Sequence, residues 1–240
     1  MQRHFLSMTL NQNEQKALLA NRATDFVEAG MLLGLGTGST VDIFITMLGE
    51  KFGSLQSLEI IPTSLTSAAK AAKLGVKILD PATCLVPDLL IDGADEVAAD
   101  LSMIKGGGGA LLWEKIVAKS ARRRVYLADS TKLVRELGEF LLPIEVIQFG
   151  HEWSCLELEK VFKKVSLRIT VSGDIFKTDS GNIIYDCKIP EKVEKLKLDR
   201  DLFHVPGIVT SGLFFDFIDT LLTVRDDNVV VIERTRDVFW

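Results

Sequence analysis

A nine-residue stretch, LLGLGTGST at residues 32–40, constrains the fold of this chain more than any other part of it. The apolar lead-in Met31, Leu32 and Leu33 predicts a short buried strand, which Gly34, Gly36 and Gly38 break. Ser39 or Thr40 then caps a helix whose apolar positions, Val41, Ile43, Phe44, Met47 and Leu48, recur at helical spacing. A strand, a glycine turn and a helix N-terminus aim backbone N–H groups and a helix dipole at one point, which suits an anion. The letters do not match the common nucleotide loops. Gly38 stands where a Walker A loop needs lysine, and Ser39 stands where the dinucleotide fingerprint needs its third glycine. A smaller phosphate and a plain tight turn before a capped helix both remain open.

The rest of the first half repeats the alternation. Residues 13–29 predict a helix stopped by Gly30; SLEIIP, VKIL, DLLID and RVYLAD predict strands; TSAAKAAKLG and GALLWEKIVAKSA predict helices. Strands alternating with helices imply crossovers and a mostly parallel sheet, with ligands bound beyond the carboxyl ends of the strands. After about residue 137 the pattern changes. PIEVIQF, LRITVS and NIIYDC predict strands, and SCLELEKVFKKV and PEKVEKLKL predict helices, as in a small α+β unit. GIVTSGLF, DTLLTV and NVVVIE are expected to be strands that return to the first domain. The expected division is therefore 1–136 with 208–240 as an α/β domain, and 137–207 as a smaller inserted α+β domain.

Composition narrows the function. The chain has 240 residues, 47% of them hydrophobic and 25% charged, enough for a sizeable core. Its formal net charge of -5 argues against nucleic acid as a partner and means that an anionic substrate needs locally placed lysines. Cys84, Cys155 and Cys187 are scattered, odd in number and without CxxC spacing, and His4, His151 and His204 form no ligand pattern. That fits a reducing cytoplasm, with neither a disulfide framework nor a metal site. The N-terminal MQRHFLSM lacks the apolar core of a signal peptide, and no apolar run reaches membrane-spanning length. Residues before Met8 read as a loose extension, or Met8 as the true start.

Three strand ends carry the chemistry: GTGST, DGADEV at residues 92–97, and IKGGGGA at residues 104–110. Four consecutive glycines cost about 0.5–1 kcal/mol each relative to alanine, a cost that fits close approach of N–H groups to a ligand. Lys105 precedes them and supplies a cation. On the next helix Glu114 has Ala110, Leu111, Val117 and Ala118 as neighbours one turn away, so it interrupts an apolar face. It is either a desolvated carboxylate with a raised pKa, suited to general base work, or a glutamate at a helix edge reaching solvent. Asp92 and Asp95 are turn formers, metal ligands or ligands for sugar hydroxyls, and the failed nucleotide loops weigh against a metal. Lys132, in DSTK after another strand, and Lys16, in the first helix, are either anion ligands or solvated helix lysines.

Taken in order, GTGST, DGADE, KGGGGA with its following WEK, and DSTK closely resemble the type A family of ribose-5-phosphate isomerases. VPGIVTSGLF is similar as well, and the likeness runs from Lys16 to the end of the chain. The resemblance implies a Rossmann-like domain with a smaller α+β domain. It also implies interconversion of D-ribose 5-phosphate and D-ribulose 5-phosphate without metal or cofactor, in the non-oxidative pentose phosphate pathway, by a homodimer or homotetramer. By motif match Thr37, Gly38, Ser39, Thr40, Asp92, Gly93, Ala94, Asp95, Lys105, Gly106, Gly107, Gly108 and Lys132 are substrate contacts. Glu114 matches the proton acceptor, and Lys16 a lysine near the phosphate. The PTSLTS segment departs from the pattern and leaves Ser64 and Thr66 as uncertain lining residues.

The implied reaction assigns parts. Asp92 or Asp95 assists ring opening, Glu114 takes the C2 proton to give a cis-enediol, and Lys105 with the glycine-run N–H groups meets the charge on oxygen. Two rival functions use similar loops. A sugar-phosphate deaminase or CoA-transferase-like enzyme is told apart by ammonia release or acyl transfer. A non-catalytic sugar-phosphate sensor has no use for Glu114 on an apolar face.

Overall fold

The computed structural model describes residues 10–52, 58–83 and 85–234. His4, Met8 and Cys84, with the alternatives drawn for the N-terminus, lie outside the described residues. The first half runs α1 (Gln12–Ala23), β1 (Leu32–Leu35), α2 (Ser39–Phe52), β2 (Glu59–Pro62), α3 (Leu65–Lys73), β3 (Lys77–Ile78) and β4 (Leu89–Gly93). It continues through β5 (Glu96–Val97), β6 (Met103–Ile104), α4 (Leu111–Ser120) and β7 (Arg123–Ala128). The second half is β8 (Leu142–Val146), α5 (His151–Glu159), β9 (Val165–Leu167), β10 (Ile183–Cys187) and α6 (Lys195–Leu202). It ends with β11 (Ile208–Ser211), β12 (Leu213–Phe214), β13 (Thr220–Arg225) and β14 (Asn228–Glu233).

Seven strands form the main sheet in the order β14-β13-β7-β4-β1-β2-β3, parallel except for the β13–β14 hairpin. Successive side chains alternate across it. Leu33, Leu35, Leu89, Ile91, Val125 and Leu127 join one core with Leu19 and Ala23 of α1 and Phe44 and Leu48 of α2. Leu32, Leu90, Tyr126 and Ala128 join another with Val117 and Ala118 of α4. A sheet covered on both faces needs strands with continuous apolar runs, as LLGL of β1 and Leu89–Ile91 of β4 provide.

From β1 the chain moves outward through β2 and β3, then returns to the other side of β1 as β4. The carboxyl ends of β1 and β4 are thus the switch point where such sheets bind ligands. GTGST leaves β1 and DGADE closes β4 at that place. Gly34 and Gly36, two residues apart, both face the α4 side. A Cβ on Gly34 would lie 3.0 Å from Val117 Cγ1, and one on Gly36 would lie 2.6 Å from Asp92 Cα. Here glycine serves close approach of two backbones.

Two antiparallel sheets stand on this platform. A three-stranded one, β12-β6-β5, carries the lead-in to the glycine run, so IKGGGGA reaches the crevice from outside the parallel sheet. A four-stranded one, β11-β8-β10-β9, packs with α5 and α6 around Leu142, Ile144, Ile183, Tyr185 and Leu198.

Several expected elements change length or place. The first helix ends at Ala23 and tightens into a 3₁₀ turn over Thr24–Phe26, with Thr24 Oγ1 donating to Asn21 O at 2.8 Å. LRITVS is not a continuous strand: β9 ends at Leu167, and Thr170 to Asp174 turn tightly at Gly173. GIVTS does not return to the main sheet. Ile208–Ser211 pairs with β8, and the chain rejoins the main sheet at Thr220. The apolar pattern fits either sheet; the observed pairing with β8 is antiparallel and shifts register between Ile208 and Thr210. Among the described residues, no helix is long and apolar enough to cross a membrane.

Candidate active site

One cleft opens where the three motifs meet, and its two ends differ in chemistry. At the first end Asp42 N–H donates to Gly38 O at 2.9 Å, so Gly38 takes the N-cap position of α2. Ser39 and Thr40, expected as caps, instead lie in the first turn. The N–H groups of Ser39, Thr40 and Val41 have no intrahelical acceptor and belong to residues that line the cleft. Gly38 sits at φ +124°, a conformation that costs a side chain. Two lysines reach the same cleft. Lys16 Nζ, from α1, donates to Ser39 Oγ at 3.0 Å. Lys132 ends a 3₁₀ turn after β7, which Asp129 caps and Gln15 of α1 braces through Ser130 N–H at 2.9 Å. Helix dipole, free N–H groups and two cations are together the groups that suit an anion.

Thr37 is braced from behind. Its Oγ1 donates to Ser64 Oγ at 2.8 Å, and Ser67 Oγ donates to Gly36 O at 2.7 Å. Ser64 therefore supports the loop and also caps α3 through Ser67 N–H; Thr66 is exposed and does not line the cleft.

At the second end three buried charges share one place. Asp92, Lys105 and Glu114 are 0%, 2% and 4% exposed. Lys105 Nζ lies 2.9 Å from Asp92 Oδ2 and 3.3 Å from Glu114 Oε1, and donates to Gly93 O. The ammonium also stands 5.6 Å from the centre of the Tyr126 ring. Asp92 Oδ1 accepts from Gly93 N–H at 2.7 Å and Thr37 N–H at 3.2 Å. Glu114 Oε2 is buried with no partner among the described residues.

Burial pushes Glu114 up to about 8, against the attraction of Lys105 and with help from the charge of Asp92. Burial raises Asp92 too, opposed by Lys105 and by its two N–H donors. Burial opposes the Lys105 charge, but Asp92 and Glu114 outweigh it and hold the ammonium above the usual lysine range. Lys105 is thus held as the ammonium, that ammonium and two N–H donors oppose the rise at Asp92, and burial brings Glu114 to where a carboxyl gains or loses a proton near neutrality.

Of the residues singled out in the sequence, Lys16, Thr37, Gly38, Ser39, Thr40, Gly93, Ala94, Asp95, Lys105, Gly106, Gly108, Glu114 and Lys132 line the cleft. Asp92 and Gly107 do not. Asp92 lies beneath the floor, with Oδ2 2.9 Å from Lys105 Nζ and Oδ1 accepting two backbone N–H groups. Gly107 turns its N–H to Asp95 Oδ2 at 2.8 Å. Glu96 of DGADE also turns away: it is buried and accepts N–H groups of Gly138 and Phe140. Val41, Leu127 and Asp129 line the cleft without having been expected there. Leu127 and Asp129 sit at the end of β7, the strand beside β4, so the strand-end rule contained the signal.

The raised pKa has a consequence for stability. A group whose folded pKa lies above its unfolded value stabilises fully below the unfolded value, and loses that contribution as pH rises through the folded one. For Glu114 the window runs from about 4.5 to about 8. Glu114→Gln, which never ionises, should therefore melt increasingly above the parent as pH rises through that window. Melting curves from pH 5 to 9 check this; a difference that is constant or shrinks with pH contradicts the buried-acid state.

Comparison with known proteins agrees with the geometry. Residues 59–228 match the family model of ribose 5-phosphate isomerase A (phosphoriboisomerase A). The chain is 40% identical over 230 residues to ribose-5-phosphate isomerase A of Parvibaculum lavamentivorans, covering 93% of this chain and 100% of that one. It is similar in structure to a D-ribose-5-phosphate isomerase in complex with phospho-erythronic acid. There the TM-score is 0.88 and the identity 36%, over 94% of this chain and 100% of the other. Ribose 5-phosphate isomerase of Plasmodium falciparum matches with a TM-score of 0.87 and 33% identity, over 94% and 100% of the two chains. With its parallel sheet, glycine loops and buried Lys105–Glu114 pair, the chain belongs to the ribose 5-phosphate isomerase A family.

Proposed function

We propose that this chain interconverts D-ribose 5-phosphate and D-ribulose 5-phosphate, a step of the non-oxidative pentose phosphate pathway, with Glu114 as the base. The observation that carries the reading is a carboxyl held near neutrality beside a buried cation, in a cleft whose other end suits a phosphate. Family membership, and a related structure holding phospho-erythronic acid, support the substrate class.

The reaction needs few parts. The phosphate docks at the α2 N-terminus between Lys16 and Lys132, and binding there positions the reacting carbons. Asp95, which lines the cleft where Asp92 does not, assists transfer of the C1 hydroxyl proton to the ring oxygen. Glu114 Oε2 then takes the C2 proton of the open aldehyde. Charge gathering on O1 meets the Lys105 ammonium and glycine-run N–H groups, a kind of donor worth about 2.7–4 kcal/mol each. The C2 hydroxyl proton passes to O1, and Glu114 returns its proton to C1. General base catalysis contributes about 10²–10⁴-fold.

We further read the protein as cytoplasmic and as a homodimer or homotetramer. The exposed apolar side chains of Leu65 and Ile116, which line a groove with Leu79 and Trp113, support self-association. Sedimentation velocity should show a species of at least twice the chain mass; a monomer at micromolar concentration overturns that part.

Two substitutions should separate the ends of the cleft. Glu114→Gln should bind ribose 5-phosphate with turnover reduced at least about 10²-fold, and should no longer exchange the C2 hydrogen with deuterated solvent. Lys132→Ala should do the reverse, raising KM with a smaller loss of kcat, and added salt should weaken binding in the parent. Steady-state kinetics and deuterium exchange read both. Exchange near the parental rate in Glu114→Gln would place the base elsewhere.

A further inference from the structure

The glycine run receives its orientation from a side chain in the other sheet. Arg168 follows β9, and its Nη1 donates to Gly106 O at 2.9 Å and to Gly107 O at 3.1 Å. The same guanidinium is held by Asp186 of β10, Nε donating to Oδ2 at 2.8 Å and Nη2 to Oδ1. Both side chains are largely buried, and the pair is bidentate, the geometry that fixes a guanidinium plane. The backbone of Arg168 is pinned as well: its N–H donates to Ile184 O at 2.8 Å, and its carbonyl accepts Phe176 N–H at 3.0 Å. Phe176 stacks near the guanidinium and fills the space where Gly109 has no side chain.

These contacts decide which way two peptide groups point. The peptides are trans, so the carbonyl and the N–H of each point in opposite directions. The Gly106–Gly107 peptide is held at both ends, its carbonyl by Arg168 and its N–H by Asp95. The Gly107–Gly108 peptide is held only by its carbonyl. Its N–H, that of Gly108, has no protein acceptor among the described residues, and Gly108 lines the cleft. Glycine has no conformational preference of its own to keep such a peptide from flipping.

We propose that Arg168, clamped by Asp186, is a positioning residue for the isomerisation: it locks the Gly106–Gly107 carbonyls so that the Gly108 N–H stays aimed at the oxygen on which negative charge develops. The inference rests on the functional reading above and adds to it how the four-stranded sheet takes part in the chemistry. Lysine at this position keeps one charge but cannot hold Asp186 and two carbonyls in one plane.

Steady-state kinetics of Arg168→Lys and Asp186→Asn, with inhibition by phospho-erythronic acid, test the proposal. That acid carries a carboxylate as well as a phosphate, and so presents anionic oxygen to the glycine run. In Arg168→Lys, kcat should fall by about 10-fold or more, within the 10²–10³-fold that loss of a whole donor costs. KM should stay within about 3-fold, because the phosphate end is untouched. The inhibition constant of phospho-erythronic acid should rise with the fall in kcat. Asp186→Asn, which keeps Arg168 but loosens its clamp, should move both quantities in the same direction by less, so the proposal stays testable if Arg168→Lys folds poorly. Parental kcat in either folded variant overturns the proposal while leaving the function intact. So does a kcat loss with unchanged inhibitor affinity. Absence of isomerisation in the parent enzyme overturns both.

Discussion

A buried ammonium, that of Lys105, organises this protein. It stands between Asp92 and Glu114, and each carboxylate has a different claim on it. Asp92 is closer and has two backbone donors besides, which together oppose the rise that burial imposes on it. Glu114 is farther and has no backbone donor among the causes that set its pKa. Attraction across 3.3 Å is worth about 5 kcal/mol at an effective dielectric constant of 20. Burial nevertheless pushes Glu114 up to about 8, with help from the charge of Asp92 and against that attraction. The outcome is a carboxyl poised near neutrality beside a cation that does not titrate there. Removing the Lys105 ammonium would leave two buried carboxyls with no cation between them, and breaking a buried pair in this way typically costs about 3–5 kcal/mol.

The fold supplies this arrangement by bringing backbones unusually close. Gly36 lets β1 pass against Asp92, and Gly212 lets the β11–β12 connection pass against Lys105, where a Cβ would stand 2.3 Å from the Lys105 carbonyl oxygen. Lys105 N–H donates to Gly212 O at 2.9 Å, which ties the cation-bearing loop to the far end of the chain. Each sheet then has a distinct task. The parallel sheet offers the α2 N-terminus and Asp92, the three-stranded sheet offers Lys105, and the four-stranded sheet reaches in through Arg168.

Much of this was legible in the letters. GTGST, DGADE and KGGGG read as strand ends with loops, because glycine and aspartate mark backbone conformations that other residues avoid. Glu114 stood out as a carboxylate among apolar neighbours, and the structure finds it buried. Asp92 was only partly legible: alternation along β4 places it on the same face as Leu90, the face that α4 covers, and so beside Lys105 and Glu114, which the motif alone did not say. Arg168 and its partner Asp186 were not legible, since they lie on different strands and their effect passes through glycine carbonyls. The placement of Ile208–Ser211 was hidden for a related reason: an apolar strand does not say which of two sheets it will join.

The state of Glu114 is the quantity on which the account turns, and it is directly measurable. In protein labelled with ¹³C at the glutamate side-chain carboxyl, the resonance missing from Glu114→Gln identifies Glu114. Followed from pH 4 to 10 in the free enzyme, that resonance should titrate with a midpoint near 8. A midpoint near 4.5, the ordinary value for glutamate, would show that Lys105 wins over burial and would contradict the account of Glu114 as a base poised near neutrality.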